Sequence, residues 1–117
     1  MKHTVSLKQN HEFRRLYNRG KSAVSPYFVI YCRKTGRPVS RLGITTGVKL
    51  GCAVRRNRVR RRIREIYRTS EESLLPGYDI VVVARSRAVN ARFSDLRRSF
   101  LSLTRRLGLT VPKEDRP

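Results

Sequence analysis

Eight arginines fall between Leu50 and Arg68: Arg55, Arg56, Arg58, Arg60, Arg61, Arg62, Arg64 and Arg68. A guanidinium is planar, permanently charged and able to grip a phosphate through two parallel hydrogen bonds. The apolar residues among them keep a helical spacing. Val59, Ile63, Ile66 and Tyr67 stand at i, i+4, i+7 and i+8, on one face of an α-helix. At about 100° per residue, Arg61, Arg64 and Arg68 point the opposite way, with Arg58 and Arg62 to one side and Arg60 to the other. The spacing therefore predicts a packed helix with an arginine-coated outer surface, suited to the phosphates of structured RNA or DNA. A merely solvated helix face mixes charge signs, but Glu65 is the only acid in this segment. Like charges at this density repel unless a polyanion neutralises them. Asn57 offers a donor and an acceptor to RNA or to neighbouring backbone; a local helix bond is the alternative. Gly51 permits a sharp entry to the helix and a close approach to RNA, although a loop glycine would look the same.

A second group of residues is aromatic. Phe13 and Tyr17 lie one turn apart, and Tyr27 and Tyr31 alternate along one strand face. If the helix carrying the first pair packs along the strand carrying the second, the rings line a groove bordered by arginines. Aromatic faces stack unpaired bases with little sequence preference, while cations hold the backbone. Core packing explains Phe13 equally well, whereas the hydroxyls of Tyr17 and Tyr31 favour a wet rim. No comparable grouping exists for catalysis. The acids Glu12, Glu65, Glu71, Glu72, Asp79, Asp95, Glu114 and Asp115 are scattered, and His3 and His11 have no nucleophile placed beside them. Neither a phosphate-binding glycine loop nor a nucleophile elbow is present. A self-sufficient nuclease would need carboxylates to hold Mg²⁺. No catalytic residue, metal ligand or bound cofactor is expected in this chain.

The elements that must position these residues follow from periodicity. Asn10 can cap a short helix to about Arg19, stopped by Gly20, with Phe13, Leu16 and Tyr17 on one face. Residues 1–8 read as a loose basic lead-in and 21–26 as a connector. A strand over 27–33 has Tyr27, Val29 and Tyr31 on one face and Phe28, Ile30 and Cys32 on the other. A second strand runs over about 41–46. The basic helix spans about 54–70, extending at most to 74. Ile80-Val81-Val82-Val83 suits a central strand covered on both faces. Ser94 can cap a last helix to about Leu107, with Phe93, Leu96, Phe100, Leu103 and Leu107 on its apolar stripe. The order α-β-β-α-β-α, with a further short strand possible before the long helix, makes a two-layer α+β sandwich.

Composition sets the limits. The 117 residues make one domain, with an ordered core over about 6–108 and a flexible tail over 109–117. Of 28 basic residues 6 are lysine, leaving 22 arginines, and the net charge is +20. Such self-repulsion calls for an anionic partner. No apolar run is long enough to cross a membrane, and the amino terminus lacks the pattern of a signal peptide. Cys32 and Cys52 have no zinc-like spacing and read as reduced, partly buried residues of a cytoplasmic protein; a disulfide is the alternative.

Ala53, Arg56-Asn57-Arg58, Arg60-Arg61, Ile63 and Arg64 together resemble the RNR signature of the bacterial ribonuclease P protein family. Arg41-Leu42-Gly43-Ile44-Thr45 and Phe13-x-x-x-Tyr17-x-x-Gly20 resemble it too, so the likeness covers roughly residues 6–108. Gly47 and Val48 stand where lysine is more usual in the family, which leaves Lys49 as the basic residue of that loop. The resemblance implies a four-stranded sheet of the ribosomal protein S5 domain 2-like type, with the RNR helix on a left-handed βαβ crossover. It implies docking on the ribonuclease P RNA subunit through Lys49, Arg55, Arg56, Asn57, Arg58, Arg60, Arg61, Arg64 and Arg68. It also implies a cleft of Phe13, Tyr17 and Tyr31 for the 5′ leader of precursor tRNA. On this reading the RNA, with its Mg²⁺, is the catalyst of leader removal, and neither a membrane nor a protein oligomer is involved. A ribosomal or RNA-chaperone protein and a stand-alone nuclease are the alternatives that the residues by themselves leave open.

Overall fold

The computed structural model describes residues 4–111. Strand β1 (Thr4–Ser6) leads into helix α1 (Asn10–Arg19), then β2 (Lys21–Val24), β3 (Phe28–Lys34) and β4 (Ser40–Thr45). Helix α2 (Ala53–Ser70) follows a single 3₁₀ turn, then come β5 (Tyr78–Ala84) and α3 (Phe93–Arg106). The sheet has five strands in the order β1-β4-β5-β3-β2. β4 and β5 are parallel neighbours joined through α2, a βαβ unit, while β3 runs antiparallel to β5. The apolar run of β5 puts that strand at the centre, as its composition predicts.

Alternation along the strands assigns the two faces. Even-numbered residues (Phe28, Ile30 and Cys32; Leu42; Ile80 and Val82) form the main core with Val59, Ile63, Ile66 and Tyr67 of α2 and Leu96, Phe100 and Leu103 of α3. Sheet, α2 and α3 make the expected sandwich, and α1 packs across the opposite face. There Leu16 and Val81 are buried with Leu7, and Phe13, Tyr31 and Val83 are partly covered. Tyr67 is buried against Phe100 and shares a hydrogen bond of 2.8 Å with the Thr4 hydroxyl.

Several boundaries differ from the sequence reading. The lead-in contains a strand, because Thr4, Val5 and Ser6 pair in parallel with Ser40, Arg41 and Leu42, and Leu7 buries its side chain. The connector after Gly20 is the edge strand β2, paired antiparallel with β3. The sheet thus gains a fifth strand over the four expected. Order also continues past Gly108: Leu109 is fully buried, and the amide of Val111 donates to Ser73 O at 2.8 Å. The rest of the expected tail, 112–117, lies outside the described residues. Neither Asn10 nor Ser94 is a cap, since the cap positions are Gln9 and Arg92. Phe93 opens α3 exposed, so the buried stripe begins at Leu96. Both cysteines are free; Cys32 is buried as expected, but Cys52 is exposed at the entry to α2.

Candidate nucleic-acid interface

Helix α2 buries the apolar face its spacing predicts, Val59, Ile63, Ile66 and Tyr67, and with it Ser70. Arg55, Asn57, Arg58, Arg61, Arg64 and Arg68 are exposed, and Arg56, Arg60 and Arg62 are half-buried. The three half-buried arginines are not equivalent to the rest. Arg60 Nη2 donates to the buried Thr46 hydroxyl at 2.7 Å, and its Nη1 makes a long 3.4 Å contact to Asn57 Oδ1. Arg62 Nη2 donates to the Ala91 carbonyl at 2.9 Å, and burial, with Arg58 nearby, pushes its pKa down. Arg60 and Arg62 therefore brace the helix on its two flanks, one against the end of β4 and one against the approach to α3. Arg56 keeps a buried Nε without a partner.

Arg68 is less available than its exposure suggests. Its Nε and Nη2 donate to the two carboxylate oxygens of Glu65 at 3.0 and 2.6 Å, an exposed pair that holds the Glu65 pKa down. The basic surface free of acids therefore runs from Arg55 to Arg64. Lys49 is exposed in the 3₁₀ turn Val48–Leu50 ahead of it. Gly51 joins that turn to the helix at φ +111°, which side chains with a Cβ rarely adopt. The first turn of α2 has neither an acidic residue nor a side-chain cap, so its amides and the positive end of the helix dipole face outward beside Arg55 and Lys49. That combination is a ready anion seat.

On the other sheet face, Tyr17 and Tyr31 meet edge to face with ring centroids 4.9 Å apart. The Tyr17 hydroxyl lies 3.4 Å from that of Thr45. Phe13 lies flat over Gly43, where a Cβ would come within 2.6 Å of its ring. Phe13, Arg14, Tyr17 and Thr45 line a shallow pocket. Phe13, Tyr17 and Tyr31 are thus brought together as expected. Tyr27 is not with them: it precedes β3 beside the Ser25-Pro26 turn and packs against the main core.

Sequence reasoning missed how the two surfaces join. β1 pairs only with residues 40–42 of β4, so the edge of β4 beyond Leu42 is uncovered. A depression there is lined by Phe13, Gly43 and Ile44 on one side and by Arg60 and Arg64 on the other, with Lys8 at its rim. A strand leaving the aromatic pocket meets α2 at this point. It also missed the tether of α1. Arg41 Nε and Nη2 donate to Asp79 Oδ1 and Oδ2 at 2.8 and 2.6 Å, and Arg41 Nη1 is paired with Glu12. Hydrogen bonding to Asp79 is the main cause of the raised Arg41 pKa. A pairing register would have revealed this network, but three separate residues in sequence do not. Among the described residues, no three His, Cys, Asp or Glu side chains group to hold a metal ion, and no helix is long and apolar enough to cross a membrane.

Comparison with known proteins gives one family. The profile described as Ribonuclease P matches residues 1–108. The ribonuclease P protein component of Clostridioides difficile is 42% identical over 109 residues, covering 92% of this chain and 96% of the relative. That of Natranaerobius thermophilus is 36% identical, covering 91% and 92%. Among solved structures, the RNase P protein of Staphylococcus aureus superimposes with a TM-score of 0.80 at 30% identity, covering 91% of this chain and 97% of that one. The RNase P protein of Thermotoga maritima does so with a TM-score of 0.78 at 36% identity, covering 86% and 96%.

Proposed function

The chain belongs to the ribonuclease P protein family, and we propose from that premise that α2 docks on the catalytic RNA while the α1 cleft holds the 5′ leader of precursor tRNA. Membership makes it the protein component of an endoribonuclease that processes tRNA 5′ ends. In the finer reading, Arg55, Arg56, Asn57, Arg58, Arg61 and Arg64 meet phosphates of the RNA subunit, with Lys49 and the first turn of α2 at one end. Arg60 serves both its brace to Thr46 and the RNA, and Arg68, shared with Glu65, lies at the margin. Each neutralised phosphate releases counterions, so binding is steeply salt-dependent.

Phe13, Tyr17 and Tyr31 stack leader bases, and Arg14 meets the backbone beside them. Precursor is thereby favoured over mature tRNA, which has no leader to occupy the cleft. The hydrolytic centre lies in the RNA with its Mg²⁺; this chain holds no cofactor and supplies positive charge that lowers the Mg²⁺ needed for folding and substrate binding. The protein acts in the cytoplasm as a single copy, without a membrane. The observation that carries this reading is the shared depression at the β4 edge, where the aromatic pocket and Arg60 and Arg64 adjoin. It gives one RNA-protein assembly a continuous path from substrate to catalytic RNA.

The test is cleavage of precursor tRNA at low Mg²⁺ by a bacterial ribonuclease P RNA, with and without this protein. Stimulated cleavage at the mature 5′ end is expected only with both. Tight RNA binding without stimulation would favour a purely structural RNA-binding role, and cleavage by the protein alone would place the chemistry in this chain.

A further inference from the structure

Beside the last turn of α2, a groove of about 190 Å³ separates it from α3. Arg97 and Arg105 line it from α3, eight residues and therefore about 12 Å apart along the axis. Neither guanidinium has a hydrogen bond or ion pair among the described residues, and both are exposed. Ser70, Ser73 and Thr110 line it with hydroxyls. Ser70 is 3% exposed, and its Oγ has no hydrogen-bond partner. A buried hydroxyl left unmade is costly, which makes this position unusual within a helix otherwise satisfied on its packed face. No carboxylate lines the groove. Glu71 and Glu72 line a separate depression with Tyr67 and Thr4, and Asp95 pairs with Arg98 on the opposite flank of α3.

Two unpaired guanidiniums and three hydroxyls around a small polar space match a phosphodiester: a single negative charge with several acceptor oxygens. We propose that this groove is a second seat for the RNA backbone, occupied by a phosphodiester of the catalytic RNA. The choice of occupant rests on the docking role of α2 given above. Helices α2 and α3 cover the same sheet face, so an RNA lying along the exposed arginines of α2 runs on towards the groove. The leader cleft lies on the opposite face, which makes the leader a poor occupant.

The experiment measures binding of the full chain to the ribonuclease P RNA across a salt series, for Arg97→Ala/Arg105→Ala and for Arg98→Ala/Arg106→Ala. All four side chains are exposed, so folding is retained, and the two doubles remove the same net charge. The groove double is expected to flatten the log–log salt slope by about two units, one per lost phosphate contact, and to weaken binding at least roughly tenfold at moderate salt. The opposite-flank double is expected to change the slope by much less. Ser70→Ala should weaken binding severalfold with the slope intact, since the hydroxyl carries no charge. An unchanged slope for the groove double, or equal losses for both doubles, would overturn the proposal. Arg56→Ala/Arg58→Ala is measured alongside: no loss there would remove the docking role of α2 itself, whereas a loss there without one at Arg97 and Arg105 removes the groove alone.

Discussion

Tyr17 and Tyr31 touch edge to face yet differ in exposure, with Tyr17 at 40% open to solvent and Tyr31 half-buried. Each keeps ring surface available for a base while the other fixes its orientation. Replacing either with Ala is expected to weaken leader-bearing tRNA by about 1–3 kcal/mol and mature tRNA much less. Equal losses for the two substrates, measured by competition binding to the holoenzyme, would remove the stacking role. The cysteines separate in the same local way. The backbone amide of Arg55 is the main influence holding the exposed Cys52 thiol below its ordinary pKa, whereas burial pushes Cys32 up. A lowered pKa means thiolate at lower pH, so Cys52 should alkylate first and reach half its maximal rate below the pH of a free thiol. Mass spectrometry of the folded protein should find Cys32 unlabelled until it is denatured; early labelling of Cys32 would contradict its burial. Gly43 shows why a glycine inside a strand can serve a site: only the missing Cβ lets the Phe13 ring settle on the sheet.

Helix α1 is held to the sheet by few apolar residues, chiefly Leu16 and Phe13, so its polar tether matters. Arg41 on β4 joins Asp79 on β5, its neighbour across the ladder, to Glu12 on α1. Asp79 is only 7% exposed, and removing the guanidinium strands its carboxylate in a poorly solvated place. Arg41→Ala is expected to destabilise the protein by roughly 2–3 kcal/mol, below the figure for a fully buried pair because the arginine keeps some contact with solvent. Denaturant unfolding checks this. The same variant should lose precursor-over-mature discrimination, since α1 carries Phe13 and Tyr17, while its salt slope on the RNA subunit falls by less than one unit. Retained discrimination would show that α1 is positioned by its apolar contacts alone. For α2, periodicity revealed the packed face because Val59, Ile63, Ile66 and Tyr67 are a helix-local pattern. The division of its arginines into braces and free groups was not legible. Thr46 and Ala91, the partners of Arg60 and Arg62, are 14 and 29 residues away.

A net charge of +20 over 117 residues opposes compaction of the whole molecule. The described ion pairs offset little of it, since Glu65–Arg68 and Asp95–Arg98 are largely exposed. The melting temperature should therefore rise by several degrees from about 20 mM to about 500 mM salt as repulsion is screened. A bound polyanion should do more, by about 2.7 kcal/mol at a hundredfold excess over its dissociation constant. A melting temperature indifferent to salt would show that the core, not charge, limits stability.

Patterns local in the chain determined much of this protein. The arginine helix and its buried stripe, the central strand, the aromatic pair Phe13 and Tyr17, and the family itself were readable because each lies within one short segment. Strands β1 and β2 were not, because three- and four-residue edges carry almost no periodic signal and owe their existence to partners supplied by β4 and β3. The placement of Tyr31 beside Tyr17, the triad of Glu12, Arg41 and Asp79, and the groove of Ser70, Arg97 and Arg105 came only with the tertiary structure. Strand register and helix docking bring together residues whose separation in the chain gives no hint that they meet.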